Sequence, residues 1–268
     1  MTDDAAAPRR SLPLATLILA LAQPVAGVIP FLGLGQSIGD MAAASSTAAS
    51  PATYAFVIWT PIFLLSAIWA IRQMLVEDAA TLRLRPPLAI AFALNVLWML
   101  LAEFTGNGLH LVVVLAGGVA AALWAFLPEA RRLPEGAFSR WLLRPFLGLF
   151  AGWVSAAVFA NLSGALKAMG LDPDPWLSAL LVLLAGGLAA LVLRRSQGDP
   201  WYALAAGWAL VAIALADFGL AGVGVIGADG HAEPLFRVEI MGGIAALLAL
   251  GGVIVTAFSI WRRGGMTA

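Results

Sequence analysis

The chain has 268 residues, of which 62% are hydrophobic and only 11% are charged, with a formal net charge of zero. Its mean hydropathy is +0.94, whereas about 25% of the residues in a soluble domain are charged. The composition therefore excludes a soluble globular protein, and the lack of a basic excess argues against a nucleic-acid partner. Because the chain has no cysteine, disulfides, thiol catalysis and cysteine-ligated metals are excluded as well.

Eight apolar segments follow one another, each near or above the ~20 residues that an α-helix needs to cross a bilayer. They cover residues 12–35, 54–73, 87–104, 109–127, 142–166, 176–193, 201–226 and 238–261. We therefore predict an all-α integral membrane protein with eight transmembrane helices. The first segment is interpreted as a retained helix kinked by Pro24 and Pro30. The alternative is a cleaved secretory signal that ends at Ala20-Leu21-Ala22.

The distribution of Lys and Arg predicts the orientation of these helices. Short loops rich in Lys and Arg stay in the cytoplasm, and thirteen of the fifteen Lys and Arg residues fall on one side of the eight-helix topology. These are Arg9, Arg10, Arg72, Arg83, Arg85, Arg131, Arg132, Arg140, Arg144, Arg194, Arg195, Arg262 and Arg263. Only Lys167 and Arg237 lie on the other side. We predict a protein of the bacterial inner (cytoplasmic) membrane with both termini in the cytoplasm.

The segments between the helices are short. Residues 1–11 are polar and are predicted to form a disordered cytoplasmic tail, and residues 36–50 are predicted to form a flexible external loop of small residues. Residues 74–86 are predicted to form a cytoplasmic loop, after which proline opens the next helix. Gly148 and Gly152 form a small-xxx-small pattern that lets helices pack closely. Such small-residue faces could also support a homodimer.

Aromatic and amide side chains inside the spans suggest a binding pocket. Trp59, Trp98 and Trp153 lie within predicted helices, where an indole N–H must find a partner or face a cavity. Asn95 and Asn161 lie deep in apolar sequence, and each could bond another helix or contact a ligand. Several such residues on different helices predict an aromatic-lined pocket. The tryptophans at span ends are typical interface anchors, namely Trp141, Trp176, Trp201 and Trp261.

Ionisable residues inside membrane helices usually mark an ion pair or a pathway. Asp217 is the one carboxylate well inside a predicted span, and Arg237 is its candidate partner, so the two form a predicted ion pair or proton site. Glu103, at the outer end of its helix, is expected to reach water. No catalytic motif is present, and the two histidines are too few for a histidine-rich metal site. We therefore predict neither an enzyme nor a metalloprotein.

Three motifs occur in order along the first five predicted helices. Residues 51–63 read PATYAFVIWTPIF, the third helix carries Asn95-Val96-Leu97-Trp98, and the fifth carries Trp153 and Asn161 eight residues apart. Together they resemble the translocator protein / tryptophan-rich sensory protein (TspO/MBR) family. The proline-rich loop that lids the pocket in that family is replaced here by the small-residue segment 40–50.

The resemblance implies a five-helix membrane core over residues 12–167, with three additional helices and a short cytoplasmic tail in residues 168–268. It implies binding of a hydrophobic or planar small molecule, such as a tetrapyrrole, sterol or isoprenoid, by a sensor, carrier or chaperone. The expected site consists of Trp59, Asn95, Trp98, Trp153 and Asn161, and a tetrapyrrole would be a ligand rather than a cofactor. Two alternatives stay open: a proton-coupled transporter that uses Asp217, and a membrane assembly factor in pigment metabolism.

Overall fold

A computed structural model describes residues 8–134, 136–171, 173–219 and 241–264. Within these residues the regular elements are all helical. The α-helices are α1 (Pro8–Ala26), α2 (Ile38–Ala44), α3 (Trp59–Leu75), α4 (Ala79–Thr105), α5 (Leu109–Ala130), α6 (Gly136–Phe138), α7 (Arg144–Ala168), α8 (Pro175–Arg195), α9 (Pro200–Asp217) and α10 (Met241–Gly264). Short 3₁₀ turns cover Ile29–Leu32 and Thr53–Ile58, and a π-helical turn covers Ser139–Leu143.

The helices fit an all-α membrane protein, as predicted. In the part of the chain that the structure describes, seven helical stretches are long and apolar enough to cross a bilayer. They are Thr53–Leu75, Ala79–Thr105, Leu109–Ala130, Gly136–Ala168, Pro175–Arg195, Pro200–Asp217 and Met241–Arg262. The remaining predicted span is the first, residues 12–35, and it is shorter than expected because the apolar part of α1 covers only Ser11–Ala26 before the 3₁₀ turn. The count of eight is therefore not confirmed.

Side-chain caps explain where several helices begin. Asp78 accepts a hydrogen bond from the Thr81 N–H at the start of α4, and Asp174 accepts one from Leu177 at the start of α8. Asp199 caps α9 in the same way. A carboxylate at this position satisfies a backbone donor that has no partner within the helix. The cap of α2 is Ser37, whose hydroxyl accepts from the Asp40 N–H.

The observed helix bounds differ from three sequence-based boundaries. The predicted tail of residues 1–11 overlaps α1, which begins at Pro8, and residues 1–7 lie outside the described residues. The predicted external loop 36–50 contains the helix α2. The predicted cytoplasmic loop 74–86 is largely helical, because α4 begins directly after Asp78 and carries Pro86 and Pro87 inside it.

The helix ends that carry most arginines come together at one end of the bundle, called here the arginine-rich end. The Arg131 Nε donates to the Arg195 carbonyl oxygen, which joins the end of α5 to the end of α8. The Arg83 guanidinium bonds Glu129, which joins α4 to α5. The segments before α3, between α4 and α5, and after α7 meet at the opposite end, where the Lys167 Nζ donates to the Ser46 carbonyl oxygen. The charge clustering therefore agrees with the predicted loop bias.

Helix α7 forms the centre of the bundle, and its glycines bring α9 into close contact. A Cβ on Gly148 would lie 2.6 Å from the Trp201 Cβ, and one on Gly152 would lie 2.7 Å from the Tyr202 carbonyl oxygen. Side chains cannot fit in this space, so the small-xxx-small pattern serves helix packing, as predicted. On its other sides α7 contacts α3, α5 and α8.

Candidate ligand-binding cavity

A cavity lies near the end of the bundle opposite the arginine-rich end. It is lined by α2, the turn before α3, and the facing sides of α4, α7 and α9, and its volume is about 70 Å³. Three tryptophans line it, and α7 supplies a strip of small residues. The strip consists of Ala156, Ala157, Ala160 and Gly164. Because small side chains leave room and indoles supply flat apolar surface, the cavity has the composition of a small-molecule site.

The aromatic wall is built from contacts between rings on two helices. The Trp59 and Trp153 rings are 6.3 Å apart and nearly perpendicular, and Phe56 packs against Trp153 in the same edge-to-face manner at 5.9 Å. Trp59 also stacks on Phe63. Edge-to-face and offset pairs are the geometries that aromatic rings prefer. The wall is therefore held by ring contacts, with Trp153 buried at its centre.

A chain of hydrogen bonds crosses the polar side of the cavity. The Trp98 indole N–H donates to the Asn161 Oδ1 at 3.2 Å, and the Asn161 amide donates to the Asn107 Oδ1 at 2.9 Å. The Asn107 amide donates to the Ser45 hydroxyl at 2.9 Å, and that hydroxyl donates to the Met41 carbonyl oxygen. The chain fixes both amides and ties α4 and α7 to the end of α2.

Segment 38–51, which contains α2, forms one wall of the cavity and is called here the lid segment. Its residues Ile38, Met41 and Ser45 line the cavity. Gly164 of α7 permits its close approach, since a Cβ there would lie 2.5 Å from the Asn107 Nδ2 and 3.1 Å from the Ser45 Oγ. A second link joins the Thr47 and Ser163 hydroxyls at 2.8 Å. These polar side chains attach the lid segment to α7, while Met41 and Ala49 of the same segment are buried in the apolar core.

Helix α9 contributes directly to the cavity, through Ala209 and Ile213. Next to them, the Trp208 indole N–H donates to the Ala55 carbonyl oxygen at 3.0 Å, and the Ala52 N–H donates to the Ala212 carbonyl oxygen at 3.1 Å. Both bonds hold the turn that precedes α3. The cavity therefore depends on a helix outside the predicted five-helix core.

Four of the five predicted site residues converge on this cavity: Trp59, Trp98, Trp153 and Asn161. Asn95 does not line it. The Asn95 amide donates to the Gln23 Oε1 at 2.9 Å and so links α4 to α1, while its Oδ1 has no partner among the described residues. Asn95 thus takes the interhelical role that the sequence left open beside ligand contact.

Of the predicted pair Asp217 and Arg237, the structure describes only Asp217. Asp217 is the last residue of α9, and its Oδ2 accepts a hydrogen bond from the Gly243 N–H at 2.7 Å, in the first turn of α10. A carboxylate at a helix N-terminus is a stabilising arrangement. Arg237 lies outside the described residues, so its pairing with Asp217 stays a prediction.

The solvent exposure of Glu103 differs from the prediction. The sequence predicts that it reaches water, but its side chain is only 2% exposed, and neither carboxyl oxygen has a partner among the described residues. The reason is that the chain after α1 folds over it, since the Gln36 N–H donates to the Glu103 carbonyl oxygen and Gly35 lies against the same residue.

Sequence reasoning missed the polar residues supplied by turns. Asn107 follows α4 in the turn Gly106-Asn107-Gly108, and Ser45 ends α2. Glycines around Asn107 indicate a turn, but no periodicity shows that its side chain points into the bundle. The sequence identified Asn161, which is the residue that α7 contributes to this network. Its partners Asn107 and Ser45 can be identified only once the turns are placed.

The fold and the cavity define a polytopic helical membrane protein with a tryptophan-lined cavity. The family model for TSPO-like proteins matches residues 12–228. The chain therefore belongs to the TSPO-like family, and the match continues past residue 167 through α8 and α9. This membership indicates a membrane protein of the ligand-binding or sensor type, in a family that is generally non-enzymatic. No curated protein and no solved structure matches the chain.

The hydrogen-bond chain can be tested by a double-mutant cycle. Asn161→Leu leaves the Trp98 N–H without its partner, whereas the Asn107 Oδ1 still accepts from the Gly108 N–H. A buried unsatisfied group costs about 1–3 kcal/mol. We expect this variant to unfold at a lower temperature in detergent. The double variant Asn161→Leu/Trp98→Phe should lose less than the sum of the two single losses, because no indole N–H is left unpaired. Strictly additive losses would mean that this bond does not contribute to stability.

Proposed function

We propose that the cavity binds a hydrophobic or planar small molecule, of tetrapyrrole, sterol or isoprenoid type, and that the protein acts as a sensor, carrier or chaperone for it. The observation that carries this proposal is the convergence of Trp59, Trp98, Trp153 and Asn161 from three elements on one cavity. The tryptophans offer flat apolar surface, and the amides offer fixed polar contacts. Membership of the TSPO-like family supports the same general role.

The size of the cavity adds a mechanical requirement. Ligand pockets usually measure about 300–1,000 Å³, whereas this one measures about 70 Å³. A tetrapyrrole or sterol therefore enters only if a wall moves. The lid segment is the wall with the shortest helix, since α2 has 7 residues whereas α4, α7 and α9 have 27, 25 and 18. Its polar links are side-chain hydrogen bonds, which contribute about 0.5–1.5 kcal/mol each, and Met41 and Ala49 add its buried apolar contacts. We infer that ligand entry displaces the lid segment.

The ligand would also compete with the internal hydrogen bonds. The Asn161 amide and the Asn107 amide are both occupied by other side chains. When the lid segment moves, the Ser45 link breaks and the Asn107 donor becomes available to a carbonyl, carboxylate or hydroxyl group of the ligand. The proposed ligand class is therefore amphipathic, with an apolar plane against the tryptophans and one polar edge towards α2.

The proposal is tested by filling the cavity. Ala157→Leu adds a branched side chain on the cavity side of α7, and we expect it to abolish saturable tryptophan quenching by protoporphyrin IX in the purified protein. The matched control is Ala120→Leu, which makes the same change at an exposed position of α5 and should keep wild-type affinity. Cholesterol and farnesol, used as competitors against protoporphyrin IX, would distinguish the three ligand types.

Equal quenching of all three proteins would exclude the cavity as the binding site. If both variants and the wild type are quenched with the same concentration dependence, the porphyrin merely partitions into the detergent micelle and the cavity is not a binding site. Loss of quenching in Ala157→Leu with an unchanged melting temperature supports binding in the cavity, because it separates occupation of the space from unfolding.

A further inference from the structure

A second concave site lies at the arginine-rich end, between the start of α7 and the start of α9. This groove has a volume of about 550 Å³ and is open to the outside of the bundle. Its lining among the described residues includes two arginines, Arg140 and Arg144, together with two tryptophans, Trp141 and Trp201, and the aliphatic side chain of Leu204. Cationic and aromatic side chains are thus combined where the helices end.

A π-helical turn of the backbone carries one of these arginines and one of these tryptophans. The turn Ser139–Leu143 is π-helical and joins α6 to α7. A π turn inserts one extra residue into the helical repeat and occurs often at functional sites. Arg140 and Trp141 both lie within it, and both side chains are exposed. Trp141 is 69% exposed. An exposed tryptophan at the end of a membrane helix is typical of the level of the lipid headgroups.

The charges of the groove leave an excess of one positive charge. Its lining contains Arg140, Arg144 and a single carboxylate, Asp199, which gives a net charge of +1 among the described residues. The Asp199 Oδ1 already accepts hydrogen bonds from the Trp201 and Tyr202 N–H groups. Burial raises the pKa of Asp199, against the opposing effects of those hydrogen bonds and of Arg144.

Hydrogen-bond donors also exceed acceptors. The Arg144 guanidinium donates to the carbonyl oxygens of Ala130 and Arg132, but its Nε has no partner among the described residues. Arg140 makes no ion pair with a carboxylate in the described part of the chain. Arginine forks match phosphate oxygens, and basic pockets between membrane helices bind anionic lipid headgroups.

We propose that this groove binds an anionic phospholipid, with the phosphodiester at Arg140 and Arg144 and an acyl chain along Trp141 and Leu204. The single negative charge of a phosphodiester neutralises the +1 of the groove. Leu204 is exposed on α9. An acyl chain that lies along it would therefore run from the headgroup level towards the hydrocarbon core. This site is separate from the tryptophan-lined cavity, which lies towards the other end of α7.

The test is native mass spectrometry of the purified full-length protein with phosphatidylglycerol or phosphatidylcholine added in equal amounts. We expect wild type to retain phosphatidylglycerol preferentially and Arg140→Gln to lose about tenfold in apparent affinity, which a lost charge-assisted contact would produce. Arg140→Lys should lose less, since the charge remains but the fork does not. Arg194→Gln is the control, because it removes one exposed charge at the same end outside the groove.

Three results would overturn the proposal. Equal losses in Arg140→Gln and Arg194→Gln would mean a diffuse effect of positive charge. Equal retention of the two lipids by wild type would remove the role of the phosphodiester charge. Displacement of the lipid by millimolar inorganic phosphate would identify a free-anion site. Retained melting temperature in Arg140→Gln, combined with lost lipid selectivity, supports the groove.

Discussion

Gly148→Ala is expected to lower the thermal stability of the protein markedly. The added Cβ would lie 2.6 Å from the Trp201 Cβ and 2.9 Å from the Tyr202 backbone nitrogen. Backbone cannot yield as a flexible side chain does, so α7 and α9 must separate. Overpacking of this kind costs about 1–3 kcal/mol or more and exceeds the ~1 kcal/mol that alanine gains over glycine in a helix. Thermal unfolding in detergent, followed by size-exclusion chromatography, measures the loss.

The chain contains a matched control for this substitution. Gly187 lies inside α8, and nothing lies within 4 Å of the Cβ that alanine would add there. Gly187→Ala should therefore leave the melting temperature unchanged or raise it slightly through helix propensity. Leucine at the two positions would widen the difference. Equal effects of the two alanine substitutions would contradict the close contact between α7 and α9.

A disulfide across the lid segment is expected to block ligand uptake reversibly. The Thr47 and Ser163 hydroxyl oxygens are 2.8 Å apart, so cysteines at both positions are close enough to pair with modest adjustment. Because the chain has no cysteine, Thr47→Cys/Ser163→Cys would contain only the intended bond. Oxidised protein should take up protoporphyrin IX at least about tenfold more slowly than reduced protein, if the movement of segment 38–51 is required.

The order of addition makes this experiment decisive. Porphyrin added before oxidation should become trapped, and porphyrin added afterwards should be excluded until a reductant is supplied. The single variants Thr47→Cys and Ser163→Cys should respond to neither treatment. Identical uptake rates in oxidised and reduced double variant would show that the ligand enters by another route, without refuting the cavity itself.

The helices were largely predictable because their signal is local and long. An uninterrupted apolar stretch forms a membrane helix whatever its neighbours do, and α5 and α8 lie close to their predicted positions. The ends were less predictable, since they depend on single caps. One side chain, Asp78, extends α4 well before Pro87, and Ser37 creates α2 within a stretch that the sequence marks only as small and polar.

The candidate cavity was predictable in part, for geometric reasons. Trp153 and Asn161 are eight residues apart, about 80° in projection, so both can face one cavity. Asn95 and Trp98 are about 60° apart on α4, and this angle is enough for Trp98 to line the cavity while Asn95 faces Gln23 of α1. The contributions of Asn107 and of α9 depend on turn geometry and helix order, which no residue spacing encodes.

The contact between α7 and α9 also bears on self-association. Glycine-bearing faces of membrane helices commonly receive a second copy of the same protein, but here Gly148 and Gly152 already receive α9 of the same chain. The predicted homodimer would therefore have to use the glycines that face outward, Gly187 on α8 and Gly251 and Gly252 on α10, where nothing in the described part of the chain lies within 4 Å. Helix α9, in the C-terminal half of the same chain, thus covers the glycine face of α7 that a neighbouring subunit would otherwise contact.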